Sequence, residues 1–444
     1  MRSKAIRASG WVVGGELTAK LLRFAGNVSL AWLGMPTAAF GLMALVNTVL
    51  QGLKMFSDVG INFSVIQHKR GDEPAFLNTA FTIQVVRGAV LFLVALALTW
   101  PMAAGYDSPE LLWLIPATSL TALFSGFAST RVFGFNRRLE LGKITALHLV
   151  TQVCAISVML IWAVVSPTVW ALVAGAVASS AFNVVVSHWI AGKPRQKFEW
   201  DRAAVKAIFS FGFWIFLSTA FTFLGTLGDR LFLVPLIGFT MLGIYSIANM
   251  MVEEPASMVQ TVVRKVGMPA VAQNQDMDRD VLREKFLRHR RRVLLLSAVA
   301  FGGLMAVGDQ VVLLLYPADF HDAAWMLPLI VLGIWPRMLA RTISPTLFAL
   351  GKPQWTTAGD ILKVVVMAAG IPLGFMWMGT VGAVVAVSIS TIPFYVLTVI
   401  GVSRERMNGP GQDLVSTLVF LGVFGVIALV RLSLGFGQPF AAGM

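Results

Sequence analysis

The sequence predicts an all-α protein that crosses a membrane many times. Apolar residues make up 57% of the 444 residues and charged residues only 13%, and the mean hydropathy is +0.77. Apolar segments recur along the whole chain at the length of about 20 residues that a helix needs to span the hydrocarbon core. This composition is typical of polytopic membrane proteins, so no soluble domain is expected.

Thirteen segments have the required length. They lie at 11–33, 38–66, 76–104, 110–134, 144–165, 168–191, 207–236, 239–266, 293–316, 323–350, 356–378, 380–402 and 413–432. Twelve or fourteen spans are the alternatives, and the side of the C-terminus stays open. The basic N-terminus runs into the first segment without a small-residue cleavage site, so we expect a retained helix and not a signal peptide.

Basic residues occur in alternate connections between these segments. Loops such as Lys69-Arg70 and 193–206 are basic, whereas the intervening connections 101–110, 166–167 and 317–322 contain neither lysine nor arginine. The positive-inside rule then places the N-terminus in the cytoplasm. The longest basic connection ends in the run 288–292 (Arg-His-Arg-Arg-Arg), which we interpret as a solvated anchor on anionic headgroups. A regulatory or substrate-recruiting role is the alternative.

The first two segments each carry a polar stripe within the membrane. The stripes consist of Glu16, Lys20, Arg23 and Asn27, and of Asn47, Gln51, Lys54, Asp58 and Asn62. Their first four members are spaced by 4, 3 and 4 residues, which places them on one face of a helix. Because charge is costly in lipid, such faces are expected to line a polar cavity.

An internal repeat predicts two parallel lobes of six helices around a central cavity. The stretch 40–47 (FGLMALVN) opens span 2, and the similar stretch 242–249 (LGIYSIAN) opens span 8. Six spans separate them, so both halves would have the same orientation, as in transporters with parallel repeats. The predicted domains are 1–200 (spans 1 to 6), 201–403 (spans 7 to 12) and 404–444, a further helix and tail.

Spans 7, 8 and 10 add polar residues to the second lobe. These residues are Asp229, Arg230, Asn249, Glu253, Glu254, Arg337 and Arg341. Arg337 and Arg341 share one helix face with no acid nearby on that helix, which favours an anionic ligand such as phosphate. Pairing with Glu253, Glu254 or Asp229 on other helices is the alternative.

Three further pairs are close enough to neutralise each other along one helix, namely Glu16 with Lys20, Lys54 with Asp58, and Asp360 with Lys363. For these pairs a structural bridge and a pathway lining both stay open.

Several function classes lack support in the sequence. It has no nucleotide-binding loop, no metal-ligand spacing and no nucleophile elbow, so neither an enzyme nor an ATP-driven pump is expected, and no metal or other cofactor. Cys154 is the only cysteine. The net charge of +13 lies in loops between apolar segments, so it indicates topology and not nucleic-acid binding.

Short motifs along most of the chain resemble the Wzx-like polysaccharide transporter family of the multidrug, oligosaccharidyl-lipid and polysaccharide exporter superfamily. They are 31–34 (AWLG), 40–42 (FGL), 56–60 (FSDVG), 65–67 (VIQ), 213–214 (FW), 228–230 (GDR), 243–246 (GIYS) and 348–353 (FALGKP). The resemblance implies two six-helix lobes with a cationic cavity that moves undecaprenyl-pyrophosphate-linked glycans outward across a bacterial inner membrane.

This resemblance and the stripes together predict a flippase of lipid-linked oligosaccharides. Expected anion contacts are Lys20, Arg23, Lys54, Arg337 and Arg341, and expected sugar contacts are Asn27, Asn47, Gln51 and Asn249. Candidates for gating, or for coupling to a H⁺ or Na⁺ gradient, are Asp58, Asp229, Arg230, Glu253 and Glu254. Expected partners are the lipid-linked oligosaccharide, membrane lipids, and polysaccharide polymerase and export machinery.

Three rivals accompany this prediction. An ion-coupled drug antiporter would need an acid-dominated cavity. A glycan polymerase or ligase would need a large outer loop with catalytic groups, whereas the longest predicted outer connection has about ten residues. A non-transporting scaffold of a glycan-assembly complex is compatible with the sequence.

Overall fold

The chain folds into two compact units of helices, Met1–Ala220 (unit 1) and Phe221–Met444 (unit 2). The computed structural model describes residues 2–57, 60–68, 70–138, 140–192, 196–209, 212–263, 277–435 and 437, and no strand occurs among them. The lobe boundaries predicted from the sequence, at residues 200 and 403, stay predictions.

Unit 1 consists of long helices joined by short connections. The helices are α1 (Arg2–Trp32), α2 (Thr37–Phe56), α3 (Ile61–Gln67), α4 (Pro74–Gly105), α5 (Leu111–Gly126), α6 (Phe133–Arg137), α7 (Leu141–Val165), α8 (Val169–Ala191) and α9 (Arg202–Phe209). α1 packs against α7, α4 against α5, and α8 against both α5 and α7. α2 is more buried than α4, α7 and α8.

Unit 2 contains most of α10 and the remaining helices. They are α10 (Gly212–Val262), α11 (Arg279–Leu315), α12 (Ala323–Ala349), α13 (Gln354–Ile389), α14 (Thr391–Arg404) and α15 (Pro410–Ser433). α12 packs against α11, α13 and α14 and is almost entirely buried, so it is the central helix of the unit.

Two of these helices contain a break at a glycine, α10 at Gly238 alone and α13 at Met378 and Gly379. Gly238 has φ of 72° within α10, and Gly379 has φ of 58° within α13. Positive φ is the region that a residue without Cβ adopts at little cost, so each glycine lets the chain turn without a loop. Both glycines lie where the sequence predicts a turn between two spans.

Nine helical segments of the described residues are long and apolar enough to cross a membrane, and Leu111–Gly126 is a shorter apolar helix. Two of the nine segments contain the breaks at Gly238 and Gly379. The exact number of spans therefore stays a prediction.

Buried ion pairs join α15 to α11 near both ends of α15. Near the start, Arg290 Nη2 lies 2.7 Å from Asp413 Oδ1, and Tyr395 donates a hydrogen bond of 3.0 Å to Asp413 Oδ2. Near the end, Arg431 forms a bidentate pair with Asp309. The interpretation of the basic run 288–292 as solvated is thus wrong for Arg290, which is only 4% exposed.

Candidate functional site

In unit 1, the accessible side of α2 is polar. Leu45, Val46 and Leu50 on this helix are fully or almost fully buried, whereas Asn47 and Gln51 are exposed. A helix that faced lipid on this side would carry apolar side chains there. The exposed amides therefore form a surface suited to a polar ligand or to water.

α1 carries the second polar face of unit 1. Arg23 is exposed, and Glu16, Lys20 and Asn27 are half-buried. On the neighbouring positions Leu21 is 59% exposed, so the charged stripe adjoins an apolar surface. The helix therefore presents both charged and apolar side chains on its accessible surface.

The C-terminal end of α2 is held by an arginine from α4. The Arg87 guanidinium donates hydrogen bonds to the backbone carbonyl of Lys54 at 2.7 Å and to the hydroxyl of Ser57 at 2.9 Å. A cation at this position also complements the negative end of the helix dipole. Lys54 is half-buried beside it. Asp58, its predicted partner, lies outside the described residues.

Unit 2 contains a polar cavity of about 40 Å³, large enough to hold water. It is lined by Thr226, Asp229, Tyr245, Asn249, Glu253, Ile330, Gly333, Ile334, Arg337, Lys363, Val387, Ser388 and Thr391. The structure thus brings four predicted site residues together, namely Asp229, Asn249, Glu253 and Arg337. Arg230 and Glu254 are half-buried next to this set in the sequence.

Arg337 forms an ion pair with Glu253 in this cavity, through Nη2 and Oε1. Arg337 is 8% exposed, and its Nε has no hydrogen-bond partner among the described residues. Of the two roles that the sequence leaves open for Arg337, pairing across helices is the one observed. One side of the guanidinium keeps unused hydrogen-bonding capacity.

Asp229 is held by Tyr245, whose hydroxyl donates a hydrogen bond of 2.5 Å to Oδ2. The other carboxylate oxygen of Asp229, Oδ1, is buried without a hydrogen-bond partner in the described part of the chain. A buried carboxylate with an open acceptor is costly unless a cation, a proton or a water molecule meets it. The open side of Asp229 Oδ1 is therefore a position in the cavity where a proton, a cation or a water molecule would be stabilised.

Asp360 and Lys363 on α13 belong to a second charged cluster, which adjoins the cavity through Lys363. Lys363 donates to the backbone carbonyl of Gly225. Asp360 accepts a hydrogen bond of 3.2 Å from Thr222 and lies 4.0 Å from Arg341 Nη2. The Arg341 guanidinium also stacks over the ring of Phe394 at 5.1 Å. Asp360 and Lys363, expected to pair along their helix, thus each contact α10.

Sequence reasoning did not assign a role to Tyr245. The turn at Gly238 explains why Tyr245 reaches Asp229. The two residues lie seven and nine residues from that turn, so they are at a similar depth on adjacent half-helices. The sequence feature that could have identified Tyr245 is its position as a tyrosine inside an apolar span, within the repeated stretch that opens span 8.

Comparison with known proteins identifies the family. A family model described as "Polysaccharide biosynthesis protein" matches residues 35–325. The amylovoran biosynthesis protein AmsL of Erwinia amylovora is 24% identical over 378 residues, which cover 82% of this chain and 96% of that protein. The lipopolysaccharide biosynthesis protein WzxC of Escherichia coli is 22% identical over 344 residues, covering 77% of this chain and 70% of that protein.

Solved structures confirm the predicted all-α polytopic membrane fold. The lipid II flippase MurJ in an inward closed conformation superimposes with a TM-score of 0.71 at 12% identity, covering 97% of this chain and 99% of that chain. A multidrug resistance MATE transporter in its inward-facing conformation gives a TM-score of 0.58 at 13% identity, covering 90% and 99%. The family resemblance predicted from the short motifs is likewise confirmed: the chain belongs to the polysaccharide biosynthesis protein family.

Proposed function

We propose that this protein translocates undecaprenyl-pyrophosphate-linked oligosaccharide repeat units across the bacterial inner membrane by alternating access, for surface or exopolysaccharide synthesis. The observation that carries the proposal is the exposed amide face of α2, where Asn47 and Gln51 are accessible on a largely buried helix. Membership in a polysaccharide biosynthesis family supports a glycan as the cargo. A fold shared with a lipid II flippase supports a lipid carrier.

In unit 1, the glycan and its pyrophosphate would use different parts of the two stripes. Asn47 and Gln51, together with Asn27, offer amide donors and acceptors that match sugar hydroxyls. Arg23 and Lys20 on α1 and Lys54 on α2 would meet the pyrophosphate, because charge-assisted hydrogen bonds to phosphate are the strong ones. Glu16 would keep Lys20 oriented.

In unit 2, Arg341 and Asn249 would contact the cargo directly. Arg337 would act through the open side of its guanidinium while it stays paired with Glu253. In this arrangement Arg337 offers a cationic group to the pyrophosphate, and when no cargo is bound its buried charge is still neutralised by Glu253. The polyprenyl chain would stay in lipid.

We further propose that the carboxylates of the unit 2 cavity couple transport to a H⁺ or Na⁺ gradient. Asp229 is the central group, since its Oδ1 is buried without a hydrogen-bond partner among the described residues. Protonation or cation binding there would change its hydrogen bond with Tyr245 and its field on Arg337 and Glu253. Glu254, Arg230 and Asp58 would form gating contacts during the change of state.

The proposed function includes a topology in the membrane and a set of partners. Two parallel lobes would enclose a central cavity, the N-terminus would lie in the cytoplasm, and the polysaccharide polymerase and export machinery would take up the delivered unit. Reporter fusions after residues 69 and 104 test the orientation, because the first site is expected inside and the second outside.

The test of the main proposal is flipping by the purified full chain in proteoliposomes. A fluorescent undecaprenyl-pyrophosphate oligosaccharide is placed in both leaflets, and a membrane-impermeant quencher reports which leaflet each molecule occupies. We expect the protein to make the protected fraction accessible, and Asn47→Leu with Gln51→Leu to slow this strongly. No transfer by wild-type protein would contradict the proposal and favour the scaffold.

Two comparisons refine this assay. Transport of a labelled organic cation without glycan transfer would favour the drug antiporter. For coupling, an imposed H⁺ or Na⁺ gradient is expected to change the flipping rate of wild-type protein but not that of Asp229→Asn. An equal gradient response in both proteins would reject Asp229 as the coupling group.

A further inference from the structure

We infer that a groove along α11 and α15 is a specific binding site for an anionic phospholipid. This site is separate from the proposed cargo surfaces. It consists of a basic pocket at the start of α15 and an apolar groove further along the same helix.

The basic pocket has a volume of about 400 Å³. It is lined by Asp280, Arg283, Glu284, Leu287, Arg288, Arg291 and Gln412. Arg288 is paired with Glu284 at 2.8 Å. Three guanidinium groups against two carboxylates leave the pocket with net positive charge, and guanidinium groups bind phosphate with two parallel hydrogen bonds.

The pocket is built into the packing of the two helices. Arg283 Nε donates to the backbone carbonyl of Asn408 at 2.7 Å, and Gln412 Nε2 donates to that of Leu287 at 2.8 Å. The buried Arg290–Asp413 pair fixes the rotation of α11 between these contacts. Because of that rotation, Arg288 and Arg291 are exposed on the side of the pocket.

An apolar groove lies further along α15, beyond the pocket. It has a volume of about 380 Å³ and is lined by Val419, Gly422, Val423, Val426 and Ile427. Gln412, Val419, Val423 and Val426 are spaced by 7, 4 and 3 residues, which places them on one flank of the helix. The pocket and the groove are therefore aligned on the same flank.

The dimensions match one leaflet of a membrane. At 1.5 Å per residue, the groove extends from roughly 10 to 22 Å beyond Gln412, and half of a hydrocarbon core is about 15 Å deep. The arginines lie at the end of α11 that precedes its apolar part, where the loop pattern predicts the cytoplasmic surface. A lipid with its phosphate on Arg288 and Arg291 would reach the groove with an acyl chain.

Glycines allow the groove to be tested without disturbing the fold. A Cβ added at Gly422 meets nothing within 4 Å, and the same holds for Gly425, which does not line the groove. Gly422→Leu therefore fills the groove, and Gly425→Leu is its matched control. For the pocket, Arg292→Gln is the matched control of Arg288→Gln with Arg291→Gln, because Arg292 is exposed but does not line the pocket.

The experiment is native mass spectrometry of the full chain, titrated with phosphatidylglycerol or with phosphatidylcholine of the same acyl chains. We expect several-fold more phosphatidylglycerol adducts on the wild-type protein. The Arg288→Gln, Arg291→Gln double variant should lose this preference, and Gly422→Leu should lose adducts of both lipids. Arg292→Gln and Gly425→Leu should behave like wild-type protein.

Several outcomes would overturn the inference. One is equal binding of phosphatidylglycerol and phosphatidylcholine by the wild-type protein. Another is a loss of lipid adducts in Arg292→Gln as large as in the Arg288→Gln, Arg291→Gln variant, or in Gly425→Leu as large as in Gly422→Leu. Displacement of the lipid by glycerol phosphate alone would show a site for free anions. Displacement by undecaprenyl phosphate at equal concentration would show a site for the cargo lipid. Since the readout is lipid retention, failure here leaves the proposed transport function untouched.

Discussion

Arg431 and Asp309 form a bidentate ion pair in the interior of unit 2, with Nη1–Oδ1 at 2.7 Å and Nη2–Oδ2 at 2.9 Å. Asp309 is fully buried, and Arg431 also donates to the backbone carbonyl of Ala306. Removing one partner leaves a buried charge, which typically costs about 3–5 kcal/mol. We therefore expect Arg431→Met to lower the melting temperature of the purified protein strongly.

The double variant Arg431→Met, Asp309→Leu distinguishes the cost of one unpaired buried charge from the net contribution of the ion pair to stability. An apolar pair of similar volume often restores stability, so the double variant should melt close to wild-type protein. Glu284→Gln is the exposed control, since its pair with Arg288 has side-chain exposures of 73% and 67% and contributes at most about 1 kcal/mol. A single variant as stable as this control would contradict the prediction.

Arg87 is expected to be a positioning residue for the amide face of α2. Its two hydrogen bonds hold the end of the helix that carries Asn47 and Gln51. Charge-assisted bonds of this kind contribute about 1.5–3 kcal/mol. We expect Arg87→Leu to lower stability by an amount in this range and to slow flipping.

Hydrogen exchange measured by mass spectrometry over residues 47–57 distinguishes positioning from general destabilisation. Exchange should rise there in Arg87→Leu more than in α7 or α8. Arg131→Gln is the control, because the contact of Arg131 with the Gly192 carbonyl is a longer one of 3.5 Å. A uniform rise across unit 1 would reject the positioning role.

Variants of the Arg337–Glu253 pair test whether Arg337 binds the cargo or only stabilises the fold. Glu253→Gln should destabilise the protein, because it leaves Arg337 buried without its counter-charge. The variant Arg337→Leu, Glu253→Leu removes both charges and should recover much of that stability. If Arg337 contacts the pyrophosphate, flipping stays low in this double variant although the fold is restored.

Normal flipping by the double variant would assign the pair to structure alone. Arg341→Gln then becomes the decisive variant for an anion contact in unit 2. Protein amounts in the membrane must be equal in each comparison.

Asp201, in the segment before α9, is expected to contribute to the folding stability of the protein in a pH-dependent way. Its pKa is lowered first by the backbone N–H of Ala203 and further by Arg70, whose Nη2 lies 3.0 Å away. A carboxyl whose pKa is lowered by folding stabilises the protein above its unfolded pKa of about 3.9 and loses this contribution as the pH falls. We expect Asp201→Asn to reduce the melting temperature at about pH 7 and to have little effect at about pH 3. An equal effect at both values would contradict the prediction.

The positions of the helices follow closely from the sequence, because hydropathy and glycine turns are local signals. The breaks at Gly238 and Gly379 coincide with predicted turns. The partner of Arg337 could not be chosen from the sequence, since Glu253 lies 84 residues away and Glu254 and Asp229 were equally compatible. Only the packing of α10 against α12 decides between them.

The burial of Arg290 could have been predicted from the sequence. It lies at a spacing of four residues from Phe286 and Leu294, and Leu282 and Leu294 are buried. An apolar stripe with this spacing predicts that the arginine between its members faces the protein interior. The number of consecutive basic residues concealed this periodicity.

The break at Gly238 also has a consequence for biosynthesis. With a single residue between the two halves of α10, neither half can settle in the membrane while the other remains in water. The ribosome and the insertion machinery must therefore release both halves as one hairpin. A short epitope inserted at Gly238 would separate their insertion in time, and the resulting chains should be degraded during synthesis instead of accumulating with low activity.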